Sequence, residues 1–470
     1  MKCFINGEWT NLQEQMNIVD PYDQTIIDTA PIASKTDMLH AIDCAIAGAK
    51  RAAAMPTHQR CTILRNVAEA LLTKTEKFAQ IIAREGIKTI KEARLEVNRC
   101  VETIRIAGEE ARNIVGETIN FDQMPGSENR IGYYTRTPIG IIAAITPFND
   151  PLNLVAHKIA PAIAAGNAVI LKPHTETPLS ALMLAELFDQ QNLPQSVLQV
   201  VTGIGADVGD VLVSDSRVRM VSFTGGTVTG KKIIQRAGLK KIGMELGSNS
   251  AVVVMDDADL ELAITNTVSG AYWAAGQNCL HVQRIIVQDT IYDAFKTGFI
   301  DKAKKIKLGN KLDDATDMGC IIHRKAAEDI ENLLEDAITK GADLLMGGNC
   351  EGTRFEPTLI ENVPESARLH QEEVFGPVSL LYKFSDLNTA IDIVNAVDFG
   401  LQHGIFTKDL ATAMQAVQKF DCGGVLINDT GDYRIDAMPF GGVKGSGIGH
   451  EGLKFAIKEM TEIKMACINL

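Results

Sequence analysis

Residues 139–150 read IGIIAAITPFND, an apolar run that stops abruptly at Thr146, Pro147, Phe148, Asn149 and Asp150. The run does not alternate, so the strand it predicts must be covered on both faces. Pro147 cannot donate to a sheet ladder and Asn149 and Asp150 are turn formers, so strand gives way to loop there. A helical pattern follows over residues 153–165, and AVILKP (168–173) repeats the sequence of strand and turn. Working outward, the chain predicts a helix over 179–192, a strand in VLQVVTG, a helix over 206–213, a strand in MVSFTGG and a helix over 228–237. Short apolar runs separated by helices are the pattern of a doubly wound, nucleotide-type α/β sheet.

On the N-terminal side, residues 36–115 carry alanine-rich amphipathic stretches that read as covering helices. Residues 120–134, NFDQMPGSENRIGYY, lose the helical period and predict a hairpin or a crossing linker. After Gly247 a second α/β rhythm begins (SAVVVMDDADLELAITNTV, then RIIVQ, VSLLYKF and GGVLIND), which predicts a second sheet. The terminal run MTEIKMACINL either pairs at a sheet edge or crosses to another subunit.

The 470 residues exceed a single ordinary core, and 46% hydrophobic with 22% charged residues is a globular balance. A net charge of -13 opposes general affinity for nucleic acid or an anionic membrane. The opening MKCFINGEWTNLQ has no secretory apolar run, and the most apolar region is interrupted by prolines and charges, so a cytoplasmic location is expected. Nine scattered cysteines form no C-x-x-C pair and no zinc-ligand spacing; neither a disulfide framework nor a metal is indicated.

Four stretches place polar and turn residues where apolar strands end, ITPFND, LKPHTETP, FTGGTVTG and MELGSNS, and AAGQNC and EEVFGP add two more polar constellations. Gly225, Gly226 and Gly230 follow a strand and open a helix; they either cradle a phosphate with backbone amides or simply turn the chain. Glu245 is a base or a solvated turn carboxylate. Cys279 is an inert core thiol or a nucleophile, and its neighbours Gly276, Gln277 and Asn278, poor core residues, favour a turn that presents the sulfur.

Taken together, from FINGEW to PFGGVKGSGIGHEG, these stretches resemble the aldehyde dehydrogenase superfamily in order and spacing over essentially the whole chain. The resemblance implies Cys279 as catalytic nucleophile, Glu245 as general base and Asn149 as oxyanion donor. It implies that NAD or NADP lies against Thr146, Pro147, Phe148, Lys172, Thr175, Gly225, Gly226, Glu373 and Phe375. It further implies a Rossmann-like cofactor domain (1–118 and 137–247), a second α/β catalytic domain (248–445), and an arm (119–136 and 446–470), a β-hairpin plus C-terminal strand, assembling a homodimer or homotetramer. The chemistry suits these residues. An aldehyde carbon has no leaving group, so a thiolate must make it tetrahedral before hydride departs, and the resulting thioester needs a base to activate water.

Two departures bear on specificity. Ser248 replaces the second glycine of the family's E-L-G-G motif, which implies different packing near Glu245. Thr175 stands where NAD-preferring members often carry glutamate, so repulsion of a 2′-phosphate is removed, although Glu176 follows directly. Arg99, His157, His281 and Arg434 are candidate substrate contacts, each with a salt-bridge or packing alternative. As a set they point to a short polar or anionic aldehyde, of the lactaldehyde, phosphonoacetaldehyde or glyceraldehyde-phosphate kind. Succinate semialdehyde ranks second. An acylating, coenzyme A-dependent member or a catalytically silent one is the alternative, which the presence of Glu245 and Cys279 disfavours.

Overall fold

The computed structural model describes residues 1–470. Five parallel strands, Leu198–Val200, Ala168–Lys172, Ile141–Ile145, Val218–Thr224 and Lys241–Glu245, lie side by side in that order. The chain lays down three strands toward one side, then crosses back to place Val218–Thr224 on the other flank of Ile141–Ile145. Ligands bind beyond the carboxyl ends of strands at such a switch point, which here is where the ITPFND and FTGG turns meet. Short antiparallel strands close the edges, Cys3–Ile5 and Glu8–Thr10 on one side and Gly447–Ile448 on the other.

The unbroken apolar runs are explained by cover on both faces. Ile142, Ala144, Val169 and Leu171 pack under the helices Thr57–Leu72, Ile90–Glu110 and Asn153–Ala164. Their neighbours Ile141, Ala143, Ala168 and Ile170 point to the opposite layer, with Lys35–Ala54 and Thr227–Ala237. Each Ile, Leu or Val among them contributes about 2 kcal/mol of burial.

The helix Asn153–Ala164 is buried along its entire length, so its polar residues require partners. Its start is held by a neighbouring carboxylate: Glu96 Oε1 accepts the N–H groups of Leu152 at 2.8 Å and Asn153 at 3.0 Å, where the helix dipole favours negative charge. The other oxygen of Glu96 accepts from Lys88 at 2.9 Å, and Lys88, itself buried, also pairs with Asp150. The loop that carries Asn149 is thereby tied to the helix Ile90–Glu110.

A second sheet contains Thr358–Glu361, Val378–Phe384, Val282–Gln288, Ser250–Val254, Gln402–Phe406 and Gly424–Ile427, all parallel, with Asp343–Met346 antiparallel at one edge. A third, of three strands, pairs Arg130–Pro138 with Glu117–Ile119 and, over nine residue pairs, with Thr461–Asn469. Within residues 446–470 only this last strand joins the arm sheet. Gly447–Ile448 pairs with the end of Lys241–Glu245, and the helix Leu453–Glu459 packs on Asn153–Ala164. No helix is long and apolar enough to cross a membrane, and no cluster of His, Cys, Asp or Glu could hold a metal ion.

Glu96→Ala would leave Lys88 short of a partner and two buried N–H groups unsatisfied, and is expected to cost about 3–5 kcal/mol of unfolding free energy in urea titrations. A loss below about 1 kcal/mol would show that this carboxylate does not seat the loop.

Candidate active site

A cavity of about 770 Å³ opens at the switch point between the first two sheets, within the size range of small-molecule sites. Its walls carry Thr146, Pro147 and Phe148 from the end of the first strand, Lys172 and Thr175 from the next, and Gly225 and Gly226 from the FTGG turn. From the other sheet come Cys279, Glu373 and Phe375, and Asn149 lies opposite them. Cys279 and Asn149 therefore share one cavity although their strands belong to different sheets.

The cavity has the features of a cradle for a bound group. The hydroxyls of Thr146 and Thr224 are buried on its wall with no protein partner. Gly226 precedes the helix Thr227–Ala237, and space beside its Cα is open. At Gly247 a Cβ would collide with the Glu373 carboxylate, so only glycine permits that approach. Glu373 accepts the Ser248 N–H at 2.8 Å, and burial raises its pKa to about 7. Phe148 meets Phe375 edge-on at 5.7 Å, forming an aromatic corner. These residues fit a nicotinamide dinucleotide: amides and a helix start for its phosphates, and a buried carboxyl for a ribose hydroxyl.

Lys172 Nζ donates to the Pro173 carbonyl at 3.0 Å and to Thr175 Oγ1 at 3.2 Å; burial lowers its pKa to about 8. Thr175 donates onward to the Gly203 carbonyl at 3.1 Å. Glu176 does not replace the missing carboxylate at this point. It lies 3.9 Å from His323 of the second sheet's half, and burial raises its pKa. Ser248 Oγ is 2.8 Å from Ser250 Oγ, a buried contact that a glycine could not make.

Cys279 follows a turn of unusual hand, with Ala274, Ala275 and Gly276 all at positive φ. Burial pushes the Cys279 thiol up to about 12, and the charge of Arg434 opposes that shift. Glu245 ends its strand but does not line the large cavity; it lines a separate one of about 20 Å³ with Lys158, Ser222 and Glu451. That is room for one water. Its Oε2 has no protein partner, and burial with the nearby Glu451 charge holds its carboxyl well above the usual range.

The four candidate substrate contacts also lie outside the large cavity's lining. Three of them join one buried charge network. Arg99 donates to Asp436 at 2.8 Å, His157 donates to the same oxygen at 2.8 Å, and Arg434 donates to Glu451 at 3.1 Å. Lys158 completes the array by donating to Glu451 at 3.0 Å. Burial opposes ionisation of Asp436, yet the His157 hydrogen bond and the Arg99 charge hold its carboxyl well below the usual range. His281 stands apart: both ring nitrogens are buried without partners and burial lowers its pKa to about 3, so it is a neutral packed ring.

Sequence reasoning missed Asp436, the hub of this network, and Glu92, which accepts from the turn before Cys279. Asp436 had only the local R-x-D spacing as a signal, since its partner Arg99 is 337 positions away. Glu92 carried a better one, the capping box Thr89-x-x-Glu92. His174 and Lys232 of the cavity wall were also unassigned.

Comparison with known proteins agrees with this geometry. A protein 44% identical over 98% of this chain and 97% of its own length is aspartate-semialdehyde dehydrogenase 1 of Pseudomonas canavaninivorans. An aldehyde dehydrogenase of Physcomitrella patens, solved with the reaction product succinate, superposes with a TM-score of 0.97 at 39% identity, covering 100% of this chain and 98% of the other. The glyceraldehyde-3-phosphate dehydrogenase of Methanocaldococcus jannaschii, complexed with NADP, gives 0.94 at 38% identity, covering 98% and 100%. Residues 9–466 match the model of the aldehyde dehydrogenase family. With that match spanning nearly the whole chain and the fold and cavity already described, this chain belongs to the aldehyde dehydrogenase family.

Proposed function

We propose that the protein oxidises a short anionic aldehyde to its acid with NAD or NADP, through a covalent intermediate on Cys279. The observation that carries the substrate class is Arg434. Its guanidinium is buried, stacks over the Phe440 ring at 3.8 Å, keeps an Nε–H with no partner, and its charge is felt at Cys279. Arg99 likewise has a buried Nε–H unspent. Buried donors left unpaired are costly, and an anionic group on the substrate would satisfy them. The relatives support this reading, because aspartate semialdehyde, succinate and glyceraldehyde 3-phosphate each carry a carboxylate or phosphate.

In this scheme the Cys279 thiolate adds to the carbonyl carbon, and the oxygen becomes an alkoxide. The Asn149 amide and the Cys279 N–H donate to that oxygen, which matters more here than in water because the site is buried. A nicotinamide held in the cradle would supply the hydride acceptor, and loss of hydride from the adduct leaves Cys279 in a thioester. Glu245 then takes a proton from water, whose oxygen attacks the thioester carbon, and sulfur leaves as thiolate. The thiol needs help to ionise, since burial holds its proton, and Arg434 is the cation that favours its loss. Absence of a carboxylate at position 175 supports use of NADP as well as NAD.

The arm supports assembly into a homo-oligomer. Ile131, Tyr133, Ile463, Met465 and Ile468 are exposed on a sheet that the rest of the chain leaves bare. Apolar patches of this kind on a paired but uncovered sheet mark protein contacts.

Cys279→Ala is expected to abolish NAD(P)H formation at 340 nm. Glu245→Gln should retain a first-turnover burst and lose steady turnover. Glu245 works only when ionised and its pKa is raised, so wild-type deacylation should climb with pH above the ordinary carboxylate range, and the Gln variant should lack that limb. Full multiple turnover in the cysteine variant would sink the scheme.

Arg99→Ala and Arg434→Ala should raise KM for anionic aldehydes by roughly tenfold or more, the value of a charged hydrogen bond, and far less for neutral ones of equal length. Equal effects on both would reject anion recognition. The double variant Ile463→Asp with Met465→Asp should reduce the mass seen by light scattering; an unchanged mass would place the interface elsewhere.

A further inference from the structure

Residues 274–276 wind in the left-handed sense, with φ of 51° at Ala274, 52° at Ala275 and 67° at Gly276. Glycine accepts this conformation readily, but two alanines in succession do not. Such a turn persists only where its surroundings over-determine it. Two of its restraints come from its own half of the molecule. The Gln277 amide donates to the Cys320 carbonyl at 2.9 Å and accepts the Ile322 N–H at 3.0 Å, and Gly276 is pressed against the Gly376 carbonyl. The third comes from outside. The Ala274 N–H donates to Glu92 Oε1 at 2.7 Å.

Glu92 lies in the first turn of the helix Ile90–Glu110, one turn ahead of the Glu96 that seats the Asn149 loop. Its second oxygen accepts both the N–H and the hydroxyl of Thr89, at 2.7 and 2.9 Å, so the carboxylate is pinned and cannot turn away from Ala274. Lys88, from the same helix start, stacks over the Trp273 ring at 4.8 Å. One helix start thus reaches both Asn149 and the turn before Cys279.

We propose that Glu92 is a positioning residue for the reaction: by holding the Ala274 N–H it locks the left-handed turn that sets the Cys279 sulfur and N–H opposite Asn149. The proposal rests on Cys279 as nucleophile. Without Glu92, residues 274 and 275 relax toward ordinary φ values and the sulfur leaves its register, while the cofactor cradle, built largely from the other sheet, is unaffected.

The test uses Glu92→Gln, which keeps the side-chain shape but turns an amide NH₂ toward N–H donors. Two rates are measured: iodoacetamide alkylation of Cys279, followed by peptide mass spectrometry, and the NAD(P)H burst. Both should fall about tenfold or more, with aldehyde KM and NADP affinity changed less than about twofold. Adding Ala274→Gly to that variant should restore most of the lost rate, since glycine takes positive φ without the penalty. A helix merely weakened by loss of its cap would gain nothing from a glycine in another segment. Thr89→Val, which removes the cap hydroxyl and leaves the Ala274 contact, should keep the alkylation rate. Should Glu92→Gln fail to fold, Glu92→Asp retains the charge and must show the same slowing and the same glycine rescue. Wild-type rates in the Glu92 variants, no rescue by Ala274→Gly, or equal slowing in Thr89→Val would each overturn the proposal. Cys279→Ser tests the underlying reading separately: sustained turnover there refutes the nucleophile and leaves the Glu92 alkylation and rescue data to be judged by themselves.

Discussion

Lys88 sits between Glu96 and Asp150 with almost no access to water, and much of the site depends on that buried pairing. A lysine there is tolerable only because two carboxylates surround it, and Glu96 is tolerable because it meets Lys88 and the backbone amides at the start of Asn153–Ala164, Asp150 because it meets Lys88 and Arg99. Removing any member leaves charge uncompensated in low dielectric. The network accordingly has one arrangement, and that arrangement places the loop of Asn149 at the carboxyl end of the first strand.

The same economy of charge extends across the wall behind the reacting groups. The buried helix Asn153–Ala164 carries His157 and Lys158 side by side, and each finds an acid contributed by the far end of the chain, Asp436 and Glu451. Arg99 and Arg434 share these acids without exhausting their own donors. A site built this way holds cations near the sulfur while staying close to neutral overall. An anionic substrate gains hydrogen bonds there without facing a bare positive field. Glu245, in contrast, has no cation hydrogen-bonded to it, and burial beside Glu451 keeps its proton affinity high, which favours the proposed role of base.

Much of the cofactor side was legible because it is local. Most of its residues follow a strand end within a few positions, and Glu373 and Phe375 lie just before a strand; such boundaries can be read from an apolar run meeting proline, glycine or asparagine. Thr146, Pro147 and Phe148, Lys172 and Thr175, Gly225 and Gly226, and Glu373 and Phe375 all line one cavity for that reason. The partners of the candidate substrate contacts were not legible. Arg99 and His157 are engaged with an acid hundreds of positions distant, Arg434 with one 17 positions further on, and His281 is a packed ring. Charge and aromaticity advertise that a side chain needs a partner, and they do not say which one.

The amino-acid sequence by itself determined the two parallel sheets, the turns at their carboxyl ends and the family, because apolar periodicity and turn chemistry act over neighbouring residues. Tertiary structure alone decided three things: that Glu245 faces a water-sized pocket away from the main cavity, that Asp436 gathers the basic residues, and that Glu92 grips the turn before Cys279. Each is a contact between segments remote in the chain. Its strength depends on a charge meeting its partner where water is excluded, a condition that exists only after the helices and sheets have closed around it.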